Sequence, residues 1–596
     1  MKKINEEMLR RIRVAAGEEP ADLVITNCRV ADLFQLEWFE EDVAIVDGTV
    51  VGIGKYEGKQ VIDGLRRYLV PAFMDGHVHI ESSTVTPPLF AEVLLQHGVT
   101  AAVCDPHEIA NVAGVEGIQY MLDASENVPV DLYFMLPSCV PSTPMEEAGA
   151  VLDAADLAPF FQHPRVLGLA EVMDFPAVAK GSEGMMEKLT LAYQDNHPID
   201  GHGAGLDGRG LNIYRSVQIQ TDHEAITVED AKLRLQRGFY LMIREGSGAR
   251  NLRSLIQAVT PANARRCLFC TDDKHLDDLV TEGSVDYNVR LAIQEGMDPL
   301  LAIQMASLNA AECYNMHDRG AIAPGYRADL LLLDSLDEVT ISMVIKDGKI
   351  VVDKHEQKQA VITSLAESIM PKPSAPPAKI LHSVRLAKLE EEMLQIPATE
   401  GSHAHVIEVI PGQLLTHHLL EEVEVEQGYF HPSTQLDQLK LAVLERHRGT
   451  GHLGLGIVKG FGMMKGAIAS TVGHDSHNLI ILGTNDADML TAIQAIEQIQ
   501  GGLAVVIDGK VEATLALPVA GLMSDQGVAD VLKEWEQLDQ ALQAVQFTPG
   551  INPFLLLSFL SLPVIPHLKI TTRGLFDVDR FTHIDVIQPE AMVMGQ

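Results

Sequence analysis

The sequence is poor in basic residues and cysteine, and each shortage narrows the possible classes of protein. Lys and Arg number 45 against 82 Asp and Glu; the net charge of -37 argues against nucleic acid or an anionic membrane as a partner. Six cysteines in 596 residues make no disulfide framework, so we expect a reducing cytoplasm. The start, MKKINEEMLRRI, lacks the apolar segment of a signal peptide, and no apolar run is long enough to span a bilayer. We therefore predict a cytoplasmic protein with no nucleic-acid or membrane partner, and we expect a homo-oligomer, a dimer or larger.

The length exceeds what one compact core usually holds, so several domains are expected. Two Asp-Gly pairs between apolar runs, Asp47-Gly48 and Asp347-Gly348, each predict a β-hairpin. These two β segments could pair into one small β domain. The Pro-rich stretch PKPSAPPAK predicts a linker, and the chain beyond it reads as an α/β domain. The predicted divisions are an N-terminal segment with the first part of the small β domain (1–68), a central domain (69–317), the second part of the β domain (318–355), a linker (356–380) and a C-terminal domain (381–596).

Between the two β segments, short apolar strands alternate with helical stretches. The candidate strands are YLVPAFMD, TAAVCDP, DLYFML, VLGLAEV, PIDGHG, VQIQTDH, FYLMIRE and CLFCTDD. Eight strand–helix repeats in about 250 residues predict a (β/α)8 barrel of the TIM type, with an open doubly wound sheet as the alternative. The predicted fold class is therefore α/β, with a barrel, a small flanking β domain and a C-terminal α/β domain.

Histidines and carboxylates end five of these candidate strands. Active sites of such barrels lie at the C-terminal ends of the strands, and residues i and i+2 of a strand face the same way. The six candidate metal ligands are His77, His79, Glu171, His202, His223 and Asp272. Nitrogen and oxygen donors without thiolate suit Mn²⁺, Fe²⁺ or Zn²⁺. Six ligands are too many for one tetrahedral ion, so the set predicts two ions bridged by a carboxylate and a hydroxide, about 3.5–4 Å apart.

Two further patterns imitate metal sites. His79-Ile80-Glu81 with Cys267 and Cys270 resembles the signature of small zinc deaminases, but the halves lie far apart in sequence and no Pro precedes Cys267. The cysteines lie three apart on a strand and face opposite ways, which favours buried packing. His474 and His477 could bind a metal, line the substrate pocket or serve a local structural role.

Long strings of the sequence resemble the amidohydrolase superfamily and, within it, the bacterial adenine deaminases. They include HVHIESS (77–83), DPHEIANV (105–112), GHGAGLDGRGLN (201–212), TDHEA (221–225), MIREGS (242–247), CTDDKHLDDL (270–279) and GFGMMKGAIASTVGHDSHNLIILGTND in the tail. The resemblance covers nearly the whole chain. One departure is GHGAG, where GHAPG is expected, which affects the shape of the loop but not His202.

The resemblance implies a metal-dependent hydrolase with two divalent ions, Mn²⁺ or Fe²⁺ before Zn²⁺. His77, His79 and Asp272 would hold one ion, His202 and His223 the other, and Glu171 would bridge them. The implied reaction is hydrolytic deamination of adenine to hypoxanthine and ammonia, in purine salvage or catabolism, with Asp272 as general base.

Other candidate residues lie near the predicted site in the sequence. His107 and Glu108, just past the second strand, are candidate proton donors, and Glu171 counts with the catalytic residues as the bridge. The candidates for contact with the purine edges are Glu81, Ser82, Ser83 and Asp105. Two alternatives share the same ligands: an amidohydrolase acting on a cyclic or acyclic amide, and a metal-binding protein without catalysis.

Overall fold

The computed structural model describes residues 2–354, 375–410 and 413–589. The chain begins with helix α1 (Lys2–Ala15) and continues as short strands. These are β1 (Ala21–Thr26), β2 (Arg29–Asp32), β3 (Glu37–Phe39), β4 (Val43–Val46), β5 (Thr49–Ile53), β6 (Gly58–Asp63) and β7 (Tyr68–Pro71). The Asp47-Gly48 pair joins β4 to β5 with both residues at positive φ, as the hairpin prediction requires.

Eight parallel strands follow, spaced by helices. They are β8 (Phe73–Val78), β9 (Val99–Cys104), β10 (Asp131–Leu136), β11 (Val166–Val172), β12 (Ile199–Gly201), β13 (Thr221–Asp222), β14 (Tyr240–Arg244) and β15 (Cys267–Cys270). Pairing runs from β8 to β12 and from β13 to β15. Backbone bonds close the circle: the Asp272 N–H donates to the His77 carbonyl, and the Gln220 N–H donates to the Ile199 carbonyl. The strands form a closed barrel, and the predicted fold class is confirmed.

Helices surround the barrel and link its strands. They are α2 (Pro87–Gln96), α3 (His107–Ala113), α4 (Val115–Ala124), α5 (Ala154–Leu157), α6 (Phe175–Lys180), α7 (Glu183–Gln194), α8 (Gly208–Ser216), α9 (Val228–Gln236), α10 (Leu252–Leu255), α11 (Leu276–Thr281), α12 (Val285–Gln294), α13 (Pro299–Met305) and α14 (Leu308–Cys313). Short 3₁₀ turns lie at Ile80–Ser83, Ala158–Gln162, Ile256–Ala258 and Ala264–Arg266.

One predicted strand divides in the structure. The sequence pattern predicts YLVPAFMD as a single barrel strand, but β7 and β8 belong to different sheets. The chain changes sheets at Ala72, whose N–H donates to the Asp329 carbonyl while β7 pairs with a strand from the far side of the barrel. Periodicity cannot reveal this change, because both halves are apolar.

Strands from both sides of the barrel share one sheet. After α14 come β16 (Leu330–Ser335), β17 (Thr340–Lys346) and β18 (Lys349–Asp353). They form a six-stranded sheet in the order β18-β17-β16-β7-β2-β3, beside a four-stranded sheet in the order β5-β4-β1-β6. The expected pairing of the two β segments is therefore present. Most of the predicted linker, residues 356–374, lies outside the described residues.

The C-terminal part is built on a mainly antiparallel sheet. Its strands are β19 (His403–Val409), β20 (Thr416–Glu422), β21 (Val425–Glu426), β22 (Tyr429–Phe430), β23 (Leu439–Leu444), β24 (Leu453–Lys459), β25 (Ala467–Ser470), β26 (Leu479–Gly483), β27 (Gly502–Ile507), β28 (Lys510–Ala516), β29 (Leu568–Thr571), β30 (Gly574–Asp577) and β31 (Thr582–Ile584). Eight of them form one sheet, in the order β20-β19-β24-β23-β26-β25-β27-β28.

Helices of this part include α15 (Ala378–Leu381), α16 (Asp486–Ile499), α17 (Val528–Val545) and α18 (Pro553–Ser558), with 3₁₀ turns at Glu391–Leu394 and Phe559–Ser561. The Asn485 side chain accepts from the Asp488 N–H and so caps the N-terminus of α16. One continuous hydrophobic cluster joins the barrel to the C-terminal sheet, which fixes the loop between β25 and β26 against the mouth of the barrel. Helices long and apolar enough to cross a membrane are absent from the described residues.

Candidate active site

The six predicted metal ligands come together at the C-terminal end of the barrel. Oδ1 of Asp272 lies 3.2 Å from Nε2 of His77 and 3.1 Å from Nε2 of His79. Oε2 of Glu171 lies 2.7 Å from Nδ1 of His202 and 3.2 Å from Nε2 of His223. These atoms belong to five different strand ends, and they converge because parallel strands of a barrel present their C-termini to one face.

Glu171 connects the two groups of ligands. Its Oε2 faces His202 and His223, while its Oε1 lies 3.5 Å from Nε2 of His79. Burial raises the pKa of Glu171, but the imidazoles of His202 and His223 outweigh burial and hold the pKa well below its usual value. A carboxylate with one oxygen toward each group is the arrangement that a bridging ligand requires.

A hydrogen bond at the rear of the site sets the tautomer of His79, and two other histidines have nitrogens without partners in the part of the chain that the structure describes. Nδ1 of His79 lies 3.1 Å from the Asp105 carbonyl, which can only accept, so Nδ1 carries the proton and Nε2 offers a lone pair. Nε2 of His77 and Nε2 of His202 are buried without a hydrogen-bond partner among the described residues. Buried imidazole nitrogens without partners, beside carboxylates, fit divalent metal ions as the missing partners.

Arg244 at the end of β14 holds two carboxylates of the site. Its Nη1 donates to Oδ2 of Asp272 at 2.8 Å and also donates to Oε1 of Glu224. Burial raises the pKa of Asp272, but the Arg244 guanidinium together with His77 and His79 outweighs burial and holds the pKa well below its usual value. Asp272 thus stays ionised, with Oδ1 directed at His77 and His79. Sequence reasoning missed Arg244, although the rule used for the other strand ends applies equally to β14.

His107 lies beside this cluster among carboxylates. Its Nδ1 is 3.0 Å from Oδ2 of Asp105 and 3.5 Å from Oε1 of Glu171. Its Nε2 is 3.5 Å from Oε1 of Glu108. Burial lowers the pKa of His107, but Asp105 and Glu108 outweigh burial and raise the pKa well above its usual value. The position of His107 suits a proton donor at the edge of the site.

The Glu108 carboxylate contacts two histidines of the C-terminal part. Nδ1 of His474 lies 2.7 Å from Oε1 of Glu108, and Nε2 of His477 contacts Oε2. The Gly473 N–H donates to Nδ1 of His477, so Nε2 of His477 is the protonated nitrogen and donates to Glu108. Although two histidines and a glutamate could hold a metal, this tautomer leaves His477 no lone pair for one. The geometry favours the structural alternative for His477.

A cavity lies over the cluster, with walls from both parts of the chain. The barrel supplies ligands and carboxylates, among them His79, His107, Glu171, His223 and Asp272. The C-terminal part supplies Leu414, His474, Asp475, Phe559, Leu562 and Ile565. His474 stacks on Phe559 with ring centroids 4.4 Å apart. The resulting chamber has a polar floor and a largely apolar far wall, as a flat heterocyclic base requires.

The predicted substrate contacts lie mostly elsewhere. Glu81 and Ser82 line a neighbouring cavity, which shares Asp273 and His474 with the first. The Ser83 hydroxyl donates to the Ile80 carbonyl, and Asp105 is occupied by His107 and by backbone. These residues are placed around the site, and their contact with substrate stays a prediction.

Two other sequence features are explained by packing. All six cysteines are free and buried, and Cys267 and Cys270 belong to different hydrophobic clusters, as expected from opposite faces of one strand. At the unusual Gly203 of GHGAG, a Cβ would lie 2.3 Å from Oδ2 of Asp222. Glycine there leaves room for Asp222, which pairs with Arg234 and accepts from the Gly203 N–H.

The barrel and its ligand cluster define a metal-dependent amidohydrolase. The amidohydrolase family model matches residues 68–351, and the adenine deaminase C-terminal domain model matches residues 413–582. The chain is 54% identical to an adenine deaminase of Geobacillus kaustophilus over 97% of this chain and 98% of the relative. It is 47% identical to the adenine deaminase of Bacillus subtilis over 98% of this chain and 99% of the relative. The chain belongs to the adenine deaminase family.

Among solved structures, an enamidase of the amidohydrolase superfamily aligns with a TM-score of 0.43 at 19% identity, over 57% of this chain and 98% of that one.

Proposed function

We propose that this chain hydrolyses the bond between C6 and the amino group of adenine, giving hypoxanthine and ammonia, at a centre holding two divalent metal ions. The observation that carries the proposal is Glu171, whose two oxygens face two separate groups of histidines. Family membership supplies the reaction, and the ligand geometry supports the number of ions.

The residues present fit the proposed metals. His77, His79 and Asp272 would hold one ion, His202 and His223 the other, and Glu171 would join them. Such a pair supplies a water of lowered pKa, near 7, and stabilises charge that develops on the substrate. Nitrogen and oxygen donors without thiolate support Mn²⁺ or Fe²⁺, with Zn²⁺ as the alternative.

Asp272 and His107 would move the protons. Because Arg244 helps to keep Asp272 ionised, Asp272 would accept the proton of the attacking water and pass it to the leaving amino group. His107, protonated beside Asp105, would donate to the ring nitrogen next to C6. Glu108 was predicted as an alternative donor; its contacts with His474 and His477 favour an anchoring role instead.

Domain division, cellular location and oligomeric state are properties of the whole chain. We propose that the chain divides near residues 68, 317, 355 and 380, as its sequence patterns suggest. We also propose that it acts in the cytoplasm as a homo-oligomer, a dimer or larger, in purine salvage or catabolism. Its net charge of -37 supports the absence of nucleic-acid and membrane partners.

Metal reconstitution tests the proposal. Enzyme stripped with a chelator should regain adenine-dependent ammonia release only when about two equivalents of Mn²⁺ are bound. Adenine, adenosine, AMP, guanine, cytosine and a dihydropyrimidine are assayed in parallel, and we expect turnover of the free base adenine alone. Full activity with one bound equivalent contradicts the binuclear centre, whereas ring opening of the dihydropyrimidine without deamination favours the amide-hydrolase alternative.

A further inference from the structure

Asp475 enters the active-site cavity from the C-terminal part, on the loop between β25 and β26. The loop is fixed on both sides of this residue: the His474 N–H donates to the Ser558 carbonyl, and Nε2 of His447 donates to the Ser476 carbonyl at 2.7 Å. His474 and His477 also bind Glu108 of the barrel. The Asp475 side chain is therefore held in place before any ligand arrives.

The carboxylate of Asp475 lacks the partners that a buried charge requires. The residue is 2% exposed, and Oδ2 has no hydrogen-bond partner among the described residues. Oδ1 lies 3.9 Å from Nε2 of His107, too far for a direct hydrogen bond. The surrounding charged groups include Glu108, Glu171 and His474. Burying a carboxylate without a donor is costly, so the arrangement indicates a donor that arrives with the ligand.

Adenine supplies donors of the required kind. Each of its hydrogen-bonding edges places an N–H group beside a ring nitrogen that accepts: the amino group beside N1 or N7, and the imidazole N–H beside N3. Carboxylates face both ring nitrogens of His107, Asp105 at 3.0 Å from Nδ1 and Glu108 at 3.5 Å from Nε2, an arrangement in which both nitrogens are donors. Asp475 is an acceptor, and both residues line the same cavity. Together they form a donor–acceptor pair that matches such an edge.

We propose that Asp475 binds the substrate by accepting a hydrogen bond from an N–H group of the purine, with His107 donating to the neighbouring ring nitrogen. The inference rests on the proposed function, because it takes adenine as the ligand. It assigns part of the substrate selectivity to a residue outside the barrel.

The test combines the isosteric variant Asp475→Asn with ligands that lack one N–H group. Binding of adenine, purine (no amino group) and 9-methyladenine (no imidazole N–H) is measured in wild type and variant, as KM for the substrate and inhibition constants for the other two. We expect adenine to bind about 10–100-fold more weakly to the variant, the usual value of a hydrogen bond to a charged group. Because His107 is assigned to the ring nitrogen next to C6, the partner is the amino group. Purine should therefore bind wild type and variant almost equally, whereas 9-methyladenine should be weakened as adenine is.

Metal content and thermal melting are recorded for each variant. Asp475→Ser is measured in parallel, so that the result does not depend on the folding of one variant, and Ser476→Ala controls for disturbance of the loop. Unchanged binding of adenine, equal weakening of all three ligands, or loss of bound metal from both Asp475 variants would overturn the proposal. Failure of the binuclear proposal would appear separately, in the metal content of the wild-type enzyme.

Discussion

Two buried groups of histidine and carboxylate lie side by side in this protein, and they differ in where the imidazole protons are. In the barrel, Nδ1 of His79 donates to a carbonyl, which leaves Nε2 as a lone pair directed into the cluster. In the C-terminal loop, Nδ1 of His477 accepts from a backbone N–H, which places the proton on Nε2. The difference teaches that the hydrogen bond on the far side of each ring, more than the residue types, separates a metal site from a structural anchor.

The largest effect is expected at the bridge of the barrel cluster. Glu171→Gln keeps the size of the side chain but removes the charge shared by the two ligand groups. We expect loss of at least one metal equivalent and of most of the deaminase activity, measured by elemental analysis and ammonia release. Glu146→Gln is the matched control: burial raises the pKa of Glu146 to about 8, so glutamine imitates its neutral state and activity should persist. A Glu171→Gln enzyme with two metals and wild-type turnover would show that another group bridges.

Asp272→Asn should separate metal binding from proton transfer. The variant keeps an oxygen near His77 and His79 but cannot carry the proton, so we expect turnover to fall by roughly 10²–10⁴. Metal content is measured on the same sample, because part of the loss could come from weaker binding. If a fully metallated variant turns over adenine at the wild-type rate, Asp272 is not the proton carrier.

The smallest effect is expected at Glu108, which anchors His474 and His477 of the C-terminal part. Glu108→Gln should leave two metals in place and reduce the free energy of unfolding by about 1–3 kcal/mol, because His474 and His477 lose an ionised partner. Elemental analysis and thermal melting are the measurements. Loss of a metal ion from this variant would move Glu108 from the anchor to the metal centre and undo the distinction between the two groups.

The same variant is expected to change how the stability of the fold depends on pH. Burial lowers the pKa of His474, but Glu108 outweighs burial and raises it from 6.5 to about 9. A raised pKa contributes stability that is complete below pH 6.5 and is lost as the pH rises through about 9. Wild type should therefore lose more stability than Glu108→Gln between pH 7 and 10, and parallel melting curves would contradict this account.

The sequence could predict those features of the fold and of the site that depend on a local pattern of residues. Strand ends give the positions of His77, His202 and Asp272, because the barrel brings every strand end to one face. The division of YLVPAFMD between two sheets depends on pairing with a distant strand, and the role of Asp475 depends on packing between parts of the chain far apart in sequence. Glu81 and Ser82 give a further example. A residue that follows a metal ligand in the sequence need not line the same cavity as that ligand.

The six-stranded sheet also constrains how the chain is made. Pro71 of β7 pairs with Leu330 of β16, about 260 residues later, so the sheet cannot form until the whole barrel has left the ribosome. Closing so long a loop costs entropy before any contact compensates, and barrel formation removes that cost by bringing its own two ends together. Completion of the six-stranded sheet is therefore favoured by barrel formation, and a chain that stops before residue 330 leaves β7 without its neighbour β16.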